Sequence, residues 1–210
     1  MLVTRDLGAC LLFIASLAAC AEKQPFEQAM GLDVNVESIP SGAVVTENET
    51  TVGTTPTRFE LQDKAEHVLV LRKDGYHPFE VKVNGAEVAK TAGGTFSVGL
   101  APQNMQAASV SVDDPNQLMR AAREALNMGN AADAVQFYRR VIALAPAQGP
   151  GYKGLGIAYT KLGKRREALD AYRQYLLYAP DAKDAKEVEA IVNKGTAGID
   201  IPPPKPEPGF

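Results

Sequence analysis

The sequence predicts an α+β protein built as two separate domains, a small all-β sandwich followed by an α-helical repeat array. Three observations carry this. From Gly31 to about Leu100, short runs of alternating apolar residues are broken by Gly, Pro and Asn turns every 8 to 12 residues or so. From about Pro115 the composition shifts to Ala, Leu, Arg and Gln, which favours helices. Beyond that point a shift of 34 residues lays the chain on itself: Gly129 falls on Gly163, Ala134 on Ala168, Tyr138 on Tyr172 and Pro146 on Pro180.

The first domain is placed at 31–101. "DVNVESI" sets Val34, Val36 and Ile39 at strand spacing, and "TRFEL" puts Phe59 and Leu61 on one face. "HVLVLRK" is apolar without a break from Val68 to Leu71, as expected of a buried strand. "FEVKVNG" alternates at Phe79, Val81 and Val83 and reaches a turn at Asn84-Gly85; "GTFSVGL" is a last strand. The turns "SIPSGAVV" (38–45), "GTTP" (53–56) and "KDGY" (73–76) occur in this order. Together they resemble the PEGA domain, a small β-sandwich named for a Pro-Glu-Gly-Ala turn. Pro40, Gly42 and Ala43 match that turn, and Ser41 stands in the glutamate position. The resemblance implies an accessory domain of an exported bacterial protein, with no catalytic set. His77, between Tyr76 and Pro78, reads as a turn histidine.

The second domain is placed at 115–195, with repeats at 115–148 and 149–182. Its second copy holds Tyr152, Leu155, Gly156 and Tyr159 in a first helix, then Ala168, Tyr172 and Pro180 in and after a second. The period and these positions resemble the tetratricopeptide repeat, two antiparallel helices of about 34 residues. The resemblance implies that Gly156 and Ala168 let the helices approach and that Tyr159 and Tyr172 fill the space beside them. Pro180 ends the unit because it cannot continue a helix. The first copy keeps Ala134, Tyr138 and Pro146, with Leu118, Ala121, Ala122 and Ala125 in the packing slots of its first helix.

"APDAKDAKEVEAIVNKG" then predicts a capping helix, started by Asp181 or Asp184. Ala185, Val188, Ile191 and Val192 form its apolar stripe, and Gly195 suits its C-cap. Arrays of this kind usually need three or more units. The β domain, a partner or a second copy is therefore expected to cover the remaining surface. Residues 102–114 read as a linker in which "ASVSV" could add a strand, and 196–210 as a Pro-rich disordered tail.

At the N-terminus one early cation, Arg5, precedes an apolar run from Leu7 to Ala19, shorter than the roughly 20 residues a spanning helix needs. It fits a secretory leader. Its end, Leu17-Ala18-Ala19-Cys20, resembles the bacterial lipobox. That resemblance implies a signal peptide at 1–19, acylation of Cys20, and a short tether at 20–30. One acyl chain holds a membrane marginally and two hold it firmly. The absence of an aspartate after Cys20 resembles the outer-membrane sorting pattern. The covalent lipid is the only cofactor expected.

Cys10 and Cys20 are the only cysteines and His67 and His77 the only histidines, so a metal centre or His-based catalytic set is poorly supplied. No Gly-rich phosphate loop or nucleophile elbow is present, and no catalytic or metal residue is predicted. A net charge of −3 does not point to nucleic acid. The two halves differ, however. Residues 31–101 carry 6 basic and 10 acidic side chains, and residues 115–195 carry 13 and 8. Such a chain suits docking of its own halves or of an acidic partner.

In the tetratricopeptide family the first helices of successive repeats line a concave groove. Carried across, the groove positions are Met119, Arg123 and Asn127, then Lys153, Ile157 and Lys161. The lysine and asparagine clamp that some relatives use for a C-terminal carboxylate is not reproduced. The expected function is that of a lipid-anchored periplasmic adaptor at the outer membrane that holds another envelope protein in this groove. The alternative is a lipoprotein that binds peptidoglycan or surface polysaccharide through its β domain, for which exposed aromatics at Tyr76 and Phe79 would speak.

Overall fold

The computed structural model describes residues 32–61, 65–90, 94–106 and 109–196. The leader at 1–19, with Leu17, Ala18 and Ala19, lies outside the described residues, as do Cys20, the tether and the tail beyond Thr196.

Among the described residues, eight strands make two four-stranded sheets. They are β1 (Leu32–Ile39), β2 (Val44–Glu47), β3 (Thr50–Thr54), β4 (Thr57–Leu61), β5 (Glu66–Arg72), β6 (Phe79–Asn84), β7 (Gly94–Leu100) and β8 (Ser109–Val110). One sheet has the order β4-β1-β7-β8 and the other β3-β2-β5-β6. β1 runs antiparallel to β4 and parallel to β7. The alternation of each strand decides which side is buried. Val34, Val36 and Val98 from one sheet and Val45, Leu69, Leu71 and Val83 from the other fill the core, while Asp33, Glu37, Glu80 and Lys82 face solvent.

Two elements were not foreseen. β2 and β3 form a hairpin over Asn48 and Glu49, both at positive φ, the mirror-image turn whose twist suits a two-residue loop. Asn84-Gly85 does not turn into another strand. It opens a short helix, α1 (Gly85–Lys90), because the Asn84 side chain accepts the Ala86 N–H at 2.9 Å as an N-cap.

The turn at Pro40–Ala43 is tied to the "GTTP" turn. Gly42 N–H donates to the Thr55 carbonyl and Thr55 N–H to the Ala43 carbonyl, each at 2.8 Å. The Thr55 hydroxyl accepts the Ala43 N–H at 3.0 Å and sits 2.5 Å from the Ser38 hydroxyl. Gly42 has φ +84°, and a Cβ there would lie an ordinary 3.5 Å from Lys73 Nζ. The backbone therefore sets the requirement, not space. Gly42→Ala is expected to cost about 1–2 kcal/mol, the left-handed penalty of an L-residue. A chemical-denaturation midpoint unchanged by this substitution would count against it.

Five helices follow among the described residues: α2 (Pro115–Asn127), α3 (Ala131–Leu144), α4 (Gly149–Lys161), α5 (Arg165–Tyr178) and α6 (Ala185–Thr196). Asp114 caps α2 by accepting from Asn116 and Gln117 N–H, and Pro115 takes the first helical position. Gly129 and Gly163 close α2 and α4 with the same geometry. Helix pairs α2–α3 and α4–α5 are two antiparallel repeats, and α6 covers the second. Ala134, Tyr138, Leu155, Gly156, Tyr159, Ala168 and Tyr172 are all buried between them, and Pro146 and Pro180 follow α3 and α5.

The capping helix departs from expectation in three places. Ala185, Val188 and Val192 are buried, but Ile191 is 49% exposed, because nothing packs beyond α6 among the described residues. Gly195 is not a cap. It lies inside the last turn of α6, where its missing Cβ makes room for Leu169. Asp184 gives its carbonyl, not its side chain, to the start of α6, accepting from Glu187 and Val188 N–H.

The two halves share one continuous apolar core. Residues 102–106 and 109–114 pack on both sides: Gln103 N–H donates to the Gly75 carbonyl, His77 Nε2 meets the Met105 carbonyl at 2.9 Å, and Arg140 holds the Val112 carbonyl and Asp113. "ASVSV" does add a strand, β8.

Candidate functional site

The turns that punctuate the β domain dock on the helices. Ser41 N–H donates to the Gln136 side chain of α3 at 2.7 Å, and Lys73 Nζ stands 3.5 Å from the Asp133 carboxylate. Tyr76 is buried against Phe137, ring centroids 6.5 Å apart. Burial and the nearby Asp133 carboxylate push the Tyr76 hydroxyl above the ordinary tyrosine range. Tyr76 is therefore part of the junction and presents no aromatic face to a glycan. Phe79 is half-buried against the sandwich core.

Between the first helices of the two repeats, α2 and α4, lies a groove of about 320 Å³. Arg123, Leu126 and Asn127 from α2 and Pro150, Lys153, Gly154 and Ile157 from α4 line it, with Tyr138 and Tyr175 reaching in from the second helices. Four of the six positions carried across from the tetratricopeptide family thus meet here: Arg123, Asn127, Lys153 and Ile157. Met119 does not. It is buried, because its turn of α2 faces α4 at Gly151. Lys161 is exposed at the far end of α4, beyond the lining residues.

Tyr138 enters because Gly154 lets it, and Gly156 makes room in the same way for Tyr172 in the repeat core. A Cβ at Gly154 would overlap the Tyr138 ring, and one at Gly156 would stand 2.5 Å from Tyr172. Both tyrosines were placed by sequence as packing groups. That Tyr138 also reaches the groove follows from Gly154, which lies on the other side of α4 from Gly156 and meets the preceding repeat.

Lys153 is held inside the groove. It pairs with the Asp184 carboxylate, and its ammonium stands 5.9 Å from the centre of the Tyr175 ring. Tyr175 donates its hydroxyl to Asp184 at 2.5 Å. The Lys153 ammonium, then the Tyr175 hydroxyl, hold the Asp184 carboxyl below the usual range. Burial, with Asp184 beside it, pushes Tyr175 up to about 12. A carboxyl lowered on folding stabilises the fold above its unfolded pKa and loses that contribution as pH falls through its folded value. Stability is therefore expected to drop in acid below about pH 4, more in the wild type than in Asp184→Asn. Parallel acid melts check this, and identical pH slopes would contradict it.

Among the described residues, no three His, Cys, Asp or Glu side chains converge as metal ligands, and no helix is long and apolar enough to cross a membrane.

The model of the PEGA domain matches residues 32–98, and that of a tetratricopeptide repeat matches residues 118–148. Comparison with curated proteins finds no match. Among solved structures, the first tetratricopeptide domain of Spaghetti (RPAP3), bound to an HSP90 peptide, is 21% identical at TM-score 0.38, over 40% of this chain and 68% of that one. A tetratricopeptide domain protein from Salinibacter ruber is similar in its crystal structure at 27% identity and TM-score 0.37, over 41% of this chain and 99% of that one. Its solution structure gives 25% identity and TM-score 0.38, over 42% and 92%. The β half thus matches the PEGA domain and the first helix pair a tetratricopeptide repeat.

Proposed function

We propose that this protein is a lipid-anchored periplasmic adaptor that holds another envelope protein in the groove of its helices. The observation that carries this reading is the convergence of Arg123, Asn127, Lys153 and Ile157, from two successive first helices, on one open groove of mixed cationic and apolar character. Such a lining suits a peptide segment with apolar and acidic side chains. The Leu17-Ala18-Ala19-Cys20 stretch supports the anchor, with the outer membrane as the site of attachment. The mechanism is recruitment and orientation, without covalent chemistry. The β domain supports the array by covering the side of α3 that would otherwise be an open end.

Affinity purification after crosslinking in cells tests the reading. Wild type is expected to retain one envelope protein that an Ile157→Glu variant loses, and Cys20→Ser is expected to move the protein out of the membrane fraction. Equal recovery with Ile157→Glu would remove the groove reading; unchanged fractionation of Cys20→Ser would remove the anchor.

A further inference from the structure

We infer that the groove takes an extended acidic segment anchored by Arg120 and Arg123, and that this ligand continues over α2 onto the 102–106 segment of the β domain. This rests on the groove reading above and names its ligand chemistry and path.

A second cavity, about 440 Å³, opens beside the first. It is lined by Met105, Gln106, Gln117, Arg120, Arg123 and Glu124. Arg123 lines both cavities, so they share one wall. The path therefore does not end at the edge of the repeats. It runs on to two residues of the β domain's trailing segment, Met105 and Gln106.

The charges of this path are not equivalent. Lys153 is already engaged by Asp184. Arg120 and Arg123 are exposed, and among the described residues neither forms an ion pair. The acidic groups that face them are Asp114, near Arg120, and Glu124 in the second cavity. Asp114 is bound by the N-terminal amides of α2 and by Gln117. Glu124 accepts from Asn104 and Asn127. Both carboxylates keep their charge but take their hydrogen bonds from amides, which leaves the guanidinium donors of Arg120 and Arg123 open to a ligand.

Their spacing selects a ligand. Residues three apart on a helix stand about 5–6 Å apart at Cβ. Side chains two apart on an extended strand lie on one face, about 6.6 Å apart along the chain. Carboxylates at alternate positions of an extended peptide can therefore meet the two arginines, each in the planar two-point geometry that guanidinium favours. The intervening side chains then lie on the opposite face of the strand, away from the two arginines.

The test uses the full chain and a fluorescein-labelled, amidated decapeptide of alternating Glu and Leu, with a Lys/Leu decapeptide as control, read by fluorescence anisotropy. The acidic peptide is expected to bind in preference to the basic one. Arg120→Glu and Arg123→Glu should each weaken it about tenfold or more, Gln106→Glu should weaken it too, and Lys153→Met should change it less than either arginine variant. Arg120, Arg123 and Gln106 are exposed, and circular dichroism confirms that the variants fold. If Ile157→Glu and Lys153→Met abolish binding while Arg120→Glu and Gln106→Glu leave it intact, this inference is overturned and the groove reading stands. If the acidic peptide binds no better than the basic one, the assigned chemistry is wrong, and the crosslinking of Ile157→Glu judges the groove reading separately.

Discussion

Phe137→Ala is expected to lower the unfolding free energy by about 3–5 kcal/mol, the range for truncating a fully buried aromatic side chain. Phe137 is wholly buried in α3 and packs on Tyr76 of the "KDGY" turn. It thus belongs at once to the repeat core and to the junction with the β domain. Since small domains are worth only about 5–15 kcal/mol in all, the loss is a large share of the total. One continuous core predicts a single cooperative transition for the wild type. Guanidinium denaturation followed by circular dichroism, with hydrogen exchange read separately in β5 and α3, checks both points. A loss below about 1 kcal/mol, or exchange protection falling in α3 alone, would mean that the junction is not part of the core.

Gly154→Ala is expected to destabilise the protein, against the rule for helices. In the middle of an exposed helix the same change gains about 1 kcal/mol. Here the added Cβ overlaps the ring of Tyr138. Overpacking of a filled core costs about 1–3 kcal/mol, so the steric term wins. Tyr138→Phe keeps the overlapping ring atoms and should not relieve it; Tyr138→Leu in the Gly154→Ala background should. A double-mutant cycle in thermal melts measures the coupling. If Gly154→Ala raises the melting temperature, the close approach of α4 to Tyr138 is wrong, and with it the shape of the groove wall.

Alternation and turn chemistry made most of the sandwich legible, because each strand has one core face and one wet face. β3 escaped because "TTVGT" carries no apolar alternation, and its pairing is fixed by the hairpin turn alone. Helix α1 escaped because six residues are too few to show a helical period. The 34-residue repeat made the helical half legible down to individual packing positions. Its groove was only partly so. Family position put Met119 in the groove, but it is buried against α4 at Gly151. Asp184 looked like a helix cap, yet its carboxylate serves Lys153 and Tyr175. The charge asymmetry and the short array pointed to docking of the halves, but the residues that make the contact left no trace in local pattern. The contact depends on pairs such as Ser41 with Gln136, 95 residues apart in sequence, and on turn residues whose small side chains say nothing of what they touch. For the same reason Arg120 could not be singled out: it borders the groove only once the 102–106 segment is laid beside α2.

The measurement that tests the central claim most directly is photocrosslinking in cells from a benzoylphenylalanine placed at Ile157, in the groove, and at Ala143, exposed on α3. The account predicts one crosslinked envelope protein from position 157, absent from position 143 and lost with Arg123→Glu. Crosslinks of equal strength from both positions, or from position 143 alone, would contradict the groove as the surface that holds the partner.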